Sequence, residues 1–121
     1  MQDVITRELV LNASQARVYS AIADPTQVVK WFPETLEGDY TPGAQPVFGF
    51  GDHGRNQVLI VAADPHHYFA YRWLPGARSY LGDVREIATT LVEFRLEAVS
   101  DNQCKLTLTE SGFTGLPADY M

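Results

Sequence analysis

Residues 64–74 read Asp64-Pro65-His66-His67-Tyr68-Phe69-Ala70-Tyr71-Arg72-Trp73-Leu74. After the Asp-Pro punctuation, His67, Phe69, Tyr71 and Trp73 fall on one side of an extended chain, with Tyr68, Ala70, Arg72 and Leu74 on the other. Four ring side chains therefore stack along one face of a strand. Alternating runs lie on both sides of it. Upstream, residues 46–51 put Phe48 and Phe50 on one face, and Gly51-Asp52-His53-Gly54 reads as a turn into a long strand over residues 55–63, so these two form a hairpin. Downstream, residues 89–99 separate Val92, Phe94, Leu96 and Ala98 from Glu93, Arg95 and Glu97. The last strand separates Cys104, Leu106 and Leu108 from Lys105, Thr107 and Thr109, so one sheet face is apolar and the other wet.

The N-terminal third changes period. Residues 4–11 read as an opening strand, rich in β-branched residues. Ser14 then caps a helix whose face is Val18, Tyr19 and Ile22. Asp24-Pro25-Thr26-Gln27 makes a capping box for a second short helix carrying Val28, Val29, Trp31 and Phe32 and stopping at Pro33. The order predicts an α+β domain over residues 1–121, in which a curved antiparallel sheet of about six strands surrounds two short helices.

Composition narrows the function classes. The chain has 121 residues, 45% hydrophobic and 20% charged, the size of one soluble domain with one core. Its apolar runs fall far short of the roughly 18 residues of a membrane span, and Asp3, Arg7 and Glu8 stand where a secretory signal would be apolar, so a cytoplasmic protein is expected. Cys104 is the single cysteine, which leaves no intrachain disulfide and no cysteine-based zinc site. The formal charge of -6 opposes nucleic acid or an anionic membrane as partner.

Several pieces in register resemble a known family. Residues 12–14 through Asp24-Pro25 and Trp31, the Pro42-Gly43 turn, the Asp64-to-Trp73 strand, Thr89-Thr90-Leu91-Val92-Glu93-Phe94 and Thr109-Glu110-Ser111-Gly112-Phe113 are similar to the helix-grip, START-like (SRPBCC) superfamily. Within it the chain resembles the branch named for the activator of the heat-shock-protein-90 ATPase. The resemblance implies a hydrophobic cavity between sheet and helices, closed in family members by a long C-terminal helix. Eight residues follow Phe113, whereas a helix across a sheet about 30 Å wide needs roughly 20. That helix is expected to be missing, either because the chain is trimmed or because the open sheet face pairs with a second copy as a homodimer. Pro117 stands where such a helix would open.

Other signals carry less. Gly49-Phe50-Gly51-Asp52-His53-Gly54 matches a dinucleotide fingerprint in letters, but a strand follows it, so it reads as a hairpin turn. His66 and His67 are adjacent and point to opposite faces of a strand, so neither a metal nor another cofactor is expected. Glu93, Arg95, Glu97 and Lys105 read as cross-strand ion pairs on the wet face. Residues 75–88, with Arg78, Tyr80, Arg85 and Ile87, form a long connection of the kind that serves as a lid, a contact surface or a disordered segment.

The candidate binding set is Trp31, Phe32, Phe48, Phe50, Phe69, Tyr71, Trp73 and Phe94, with His67, Tyr71, Tyr80 and Arg85 as its polar members. Arg85 is placed to hold a carboxylate or phenolate. The expected ligand is a small apolar or aromatic molecule. A co-chaperone-like module with a chaperone partner, and a cyclase-like or hydrolase-like enzyme whose acid or base would be His67 or Tyr71, are the alternatives.

Overall fold

The computed structural model describes residues 3–75 and 79–116. Strand β1 (Val4–Leu11) leads into α1 (Gln15–Ala23) and the single turn α2 (Pro25–Val28). Then come β2 (Thr35–Glu37), β3 (Val47–Gly49), β4 (Arg55–Gln57), β5 (Leu59–Asp64), β6 (Tyr68–Trp73), β7 (Thr90–Ser100) and β8 (Gln103–Ser111). They form a five-stranded antiparallel sheet in the order β1-β8-β7-β6-β5 and a three-stranded sheet β2-β3-β4. Arg78 and the helix start at Pro117 lie outside the described residues.

The α+β helix-grip architecture stands, with the strands divided between two sheets. The hairpin around Gly51–His53 forms as β3 and β4, but the long strand expected over residues 55–63 is two strands in different sheets. At the break, Val58 donates its N–H to the Pro46 carbonyl (2.9 Å) and Ile60 donates to the Ala44 carbonyl (3.0 Å). Proline has no N–H to return to Val58, which interrupts the ladder at that step, although Gly43 donates back to the Ile60 carbonyl (2.8 Å). Register shifts between Ile60 and Ala62 and between Ala98 and Ser100 bend the large sheet.

The helix signals hold at their starts. Ser14 Oγ accepts from the Arg17 N–H (3.2 Å), and α1 buries Val18, Tyr19 and Ile22. Asp24 Oδ1 accepts from both the N–H (2.8 Å) and the hydroxyl (2.7 Å) of Thr26. The Asp24 N–H goes to the Ser20 carbonyl (3.0 Å) rather than to Gln27, so Asp24 caps the helix without the full capping box. Helix α2 ends at Val28 rather than at Pro33, because the Val28 carbonyl takes the N–H groups of both Trp31 (3.2 Å) and Phe32 (3.0 Å) in a closing turn.

Strand register writes the concave face as rows. Leu9, Leu106 and Leu96 align across β1, β8 and β7; Arg7, Leu108, Phe94 and Phe69 make the next row, and Ile5, Glu110, Val92 and Tyr71 the one after. Helix α1 packs on β6, β7 and β8, and Gln15 at its start donates to the Leu96 carbonyl (3.4 Å). Leu96 and Leu106 are accordingly buried, while Ile5 at the other end is 46% exposed. On the opposite face Arg95 pairs with Glu93 (2.8 Å). Lys105 stands opposite Glu97 in register, but its ammonium goes to Glu8 of β1 (3.0 Å), which corrects the pairing expected with β7.

The described part of the long connection is stitched down. Tyr80 exchanges backbone hydrogen bonds with Arg55 (3.1 Å) and Gln57 (2.7 Å), and Gln45 clamps Asp83 (2.9 Å) and the Val84 N–H (2.8 Å). Val84 is fully buried. Over residues 79–88 the connection is therefore a wall of the small sheet.

Candidate functional site

A hollow of about 260 Å³ opens at the end of the concave face that α1 leaves bare. Its floor is Ile5 and Arg7 of β1, Leu108 and Glu110 of β8, Val92 and Phe94 of β7, and Tyr71 and Trp73 of β6; its far wall is Trp31 and Phe32. The wall is fixed from the helix side, since Trp31 donates its indole N–H to the Ala21 carbonyl of α1 (2.7 Å). Trp31 stacks on Phe32 at 5.6 Å and 25°, and Phe32 meets Phe48, Phe50 and Trp73 edge-on at 5.6, 5.6 and 5.9 Å. Phe32 thus couples the wall to the core. Trp31 remains 53% exposed, an unusual state for an indole held this firmly.

The aromatic set singled out from the sequence divides. Trp31, Phe32, Tyr71, Trp73 and Phe94 come together around the hollow. Phe48 and Phe69 are fully buried core residues, and Phe50 stands behind Phe32, 6.3 Å from Trp73.

Three polar members lie elsewhere. His67 is exposed just before β6 begins, its Nδ1 3.1 Å from Gln15 Nε2, in a shallow polar groove with Tyr68, Arg95 and Lys105. Tyr80 donates its hydroxyl to the Asp83 carbonyl (3.0 Å). Arg85 points to solvent with its guanidinium closed on Asp83 through two bonds of 3.0 Å. That pairing holds the Asp83 carboxyl well below the usual carboxylate range. Arg85 is engaged two residues away and does not reach over the apolar hollow.

The polar groups that do line the hollow are Glu110, Tyr71 and Arg7. Glu110 continues the parity of Cys104, Leu106 and Leu108, so β8 delivers a carboxylate to the apolar face. Its Oε2 accepts from the Trp73 indole N–H (3.1 Å) and from the hydroxyl of the fully buried Thr90 (2.6 Å). Tyr71 is 3% exposed; burial first, then Tyr40 and Glu110, push its phenol well above the ordinary range, so it stays protonated. Among the described residues the Tyr71 hydroxyl has no hydrogen-bond partner, and the one sealed-in orphan is the Tyr19 hydroxyl, so the Tyr71 oxygen borders the hollow. The missed signal was one of parity: a glutamate extending the apolar phase of a strand. Among the described residues no group of three or more His, Cys, Asp or Glu side chains is arranged to hold a metal, and no helix is long and apolar enough to cross a membrane.

A bent antiparallel sheet gripping a short helix pair, with an apolar hollow between them, defines a helix-grip, START-like domain. The model of the activator of Hsp90 ATPase homolog 1-like proteins matches residues 12–121, and the chain belongs to that family. No curated protein matches the sequence. The backbone is similar to DynU16, a putative protein of the dynemicin biosynthetic locus (TM-score 0.76, 24% identity), covering 98% of this chain and 40% of that one. It is similar also to the Aha1 dimer of Colwellia psychrerythraea (TM-score 0.73, 20% identity), covering 93% of this chain and 78% of that one. A third neighbour is norcoclaurine synthase of Thalictrum flavum in complex with dopamine and hydroxybenzaldehyde (TM-score 0.63, 17% identity; 88% of this chain, 66% of that one). This chain thus spans less than half of DynU16.

Proposed function

We propose that this domain binds one small aromatic or apolar molecule in the hollow between Trp31–Phe32 and the concave face of the sheet. The observation that carries the reading is the hollow itself: about 260 Å³ lined by five aromatic side chains, Tyr71 with its hydroxyl among them, together with Arg7 and Glu110. Ligand sites have this makeup, an apolar lining with few polar groups that orient what is bound. A neighbour of the same fold solved with two small aromatic compounds is in keeping with it. Both tryptophans of the chain, Trp31 and Trp73, line the hollow, so intrinsic fluorescence reports its occupancy.

Titration with ethylbenzene, a neutral one-ring probe, is expected to quench that fluorescence saturably. Native mass spectrometry should then show one probe per chain, and Trp73→Ala should weaken binding. Quenching that rises linearly without saturating, with no adduct, overturns the reading. Family membership favours a second reading, a chaperone-binding module, for which the expected result is stimulation of an Hsp90 ATPase. The open face with Ile5 and Trp31 would be its contact, or that of a second copy of the chain.

A further inference from the structure

We infer that the ligand this hollow prefers is an aromatic amine, held through its protonated nitrogen by Glu110. The inference rests on the ligand-binding reading above and specifies its chemistry. It starts from how the carboxylate is held. Both hydrogen bonds to Glu110, from Trp73 Nε1 and Thr90 Oγ1, end on Oε2. Among the described residues Oε1 receives no hydrogen bond, and no ion pair involves Glu110, although a carboxylate offers about four acceptor positions. The side chain is fixed by one oxygen and leaves the other unfilled.

The surroundings select what fills it. Tyr71, Trp73, Phe94, Phe32 and Trp31 present rings around the same space, and the faces of such rings attract cations. A carboxylate on one side with aromatic rings on the others is the environment that stabilises an ammonium and disfavours a carboxylate. Tyr71 adds a second polar atom. Its hydroxyl is unpartnered among the described residues, it borders the hollow, and Glu110 lies close enough to influence its ionisation. It can therefore accept a second N–H of the same nitrogen.

Arg7 is the opposing charge, since an acidic ligand would seek it. It stands on the edge strand β1, exposed to solvent, where a charge is well screened. Glu110 lies one strand further in and acts at shorter range on anything that reaches Val92 and Tyr71. The geometry therefore favours the amine over the acid.

Three probes of one shape separate the possibilities at neutral pH: phenethylamine, ethylbenzene and phenylacetate, each titrated against tryptophan fluorescence. The unaltered protein is expected to bind phenethylamine roughly tenfold or more tighter than ethylbenzene, as a charge-assisted hydrogen bond to a half-buried carboxylate among aromatic rings implies. Glu110→Gln, which keeps an acceptor for Trp73 and Thr90, is expected to abolish that preference, so that phenethylamine and ethylbenzene bind it with similar affinity. Equal binding of the amine and ethylbenzene by the unaltered protein, tighter binding of phenylacetate, or an amine preference that survives Glu110→Gln each overturns the inference. In all three cases saturable binding of ethylbenzene would leave the broader ligand-binding reading standing. If no probe binds saturably, both fall. The three-probe comparison needs no variant, so it decides even if Glu110→Gln proves poorly folded.

Discussion

Glu110 is a structural residue before it is a site residue. Its Oε2 satisfies the Thr90 hydroxyl, which is fully buried, and the Trp73 indole N–H, which holds that ring against Tyr71 at 5.6 Å. Glu110→Ala would strand both donors in an apolar face, and a buried donor without a partner costs about 1–3 kcal/mol. We expect a loss in that range by urea denaturation, with Glu110→Gln close to the unaltered protein because its amide oxygen can accept both bonds. An equal loss for Ala and Gln would show that the charge, not the acceptor, is what the fold needs. At this scale the sequence was partly legible. Alternation located Tyr71, Trp73 and Phe94 on the correct face, because period two fixes facing in any strand half buried by its neighbours. It misplaced His67, which lies one residue outside β6, and Arg85, whose charge is taken by an aspartate two residues away. It passed over Glu110 because a polar residue at an apolar phase looks like the end of a strand until its partners are known.

Elements were legible where a local device fixes them. Ser14 and Asp24 stand at helix starts because their side-chain oxygens meet the free N–H groups there, and that geometry needs nothing distant. What the sequence could not show was the division into two sheets. The β4–β5 break depends on Pro46 and Ala44 arriving from a remote segment, and the pinning of residues 79–88 to β4 depends on contacts at separations of 23 residues or more. The junction where that connection meets the small sheet gives a sharp test. Gly54 has φ 106° and ψ -172°, a conformation open essentially to glycine alone, and an added Cβ would run into Ser79 Oγ, the atom that accepts from the Arg55 N–H (3.0 Å). Gly54→Ala should therefore destabilise by about 1–3 kcal/mol from backbone strain. Hydrogen exchange should show the Arg55 and Tyr80 amides losing protection, while the amides of β7 and β8 keep theirs. Uniform loss across both sheets would mean that the small sheet and the connection do not open as a separate unit.

Over the whole molecule, ionisation sets the pH window in which this fold is strong. Tyr71 and Tyr40 are pushed well above their ordinary value, chiefly by burial, and Tyr68 is pushed up to about 12 by burial and by its hydrogen bond to Glu93. The folded chain therefore keeps phenolic protons that the unfolded chain releases from about pH 10. Where the native state binds more protons, stability falls as pH rises, so the contribution is complete below pH 10 and is lost above it. At the acid end the sign reverses. Asp83, held low by Arg85 and Gln45, and Asp24, held low by Thr26, favour the folded state above the ordinary aspartate value of 3.8, and that advantage disappears as pH drops below it. Urea midpoints should form a plateau from about pH 5 to 9 with a fall on each side. Tyrosinate absorbance should appear together with unfolding on the alkaline side. Tyr71→Phe isolates one contributor, because its hydroxyl has no partner among the described residues and its removal should cost little at pH 7. If burial of that phenol drives the alkaline limb, the variant should hold its midpoint to higher pH than the unaltered chain. An unchanged limb would assign it to the other groups that burial pushes up, Tyr40, Tyr68, Tyr19 and Cys104, and would mean that the Tyr71 oxygen, open to the hollow, ionises in place without unfolding the sheet around it.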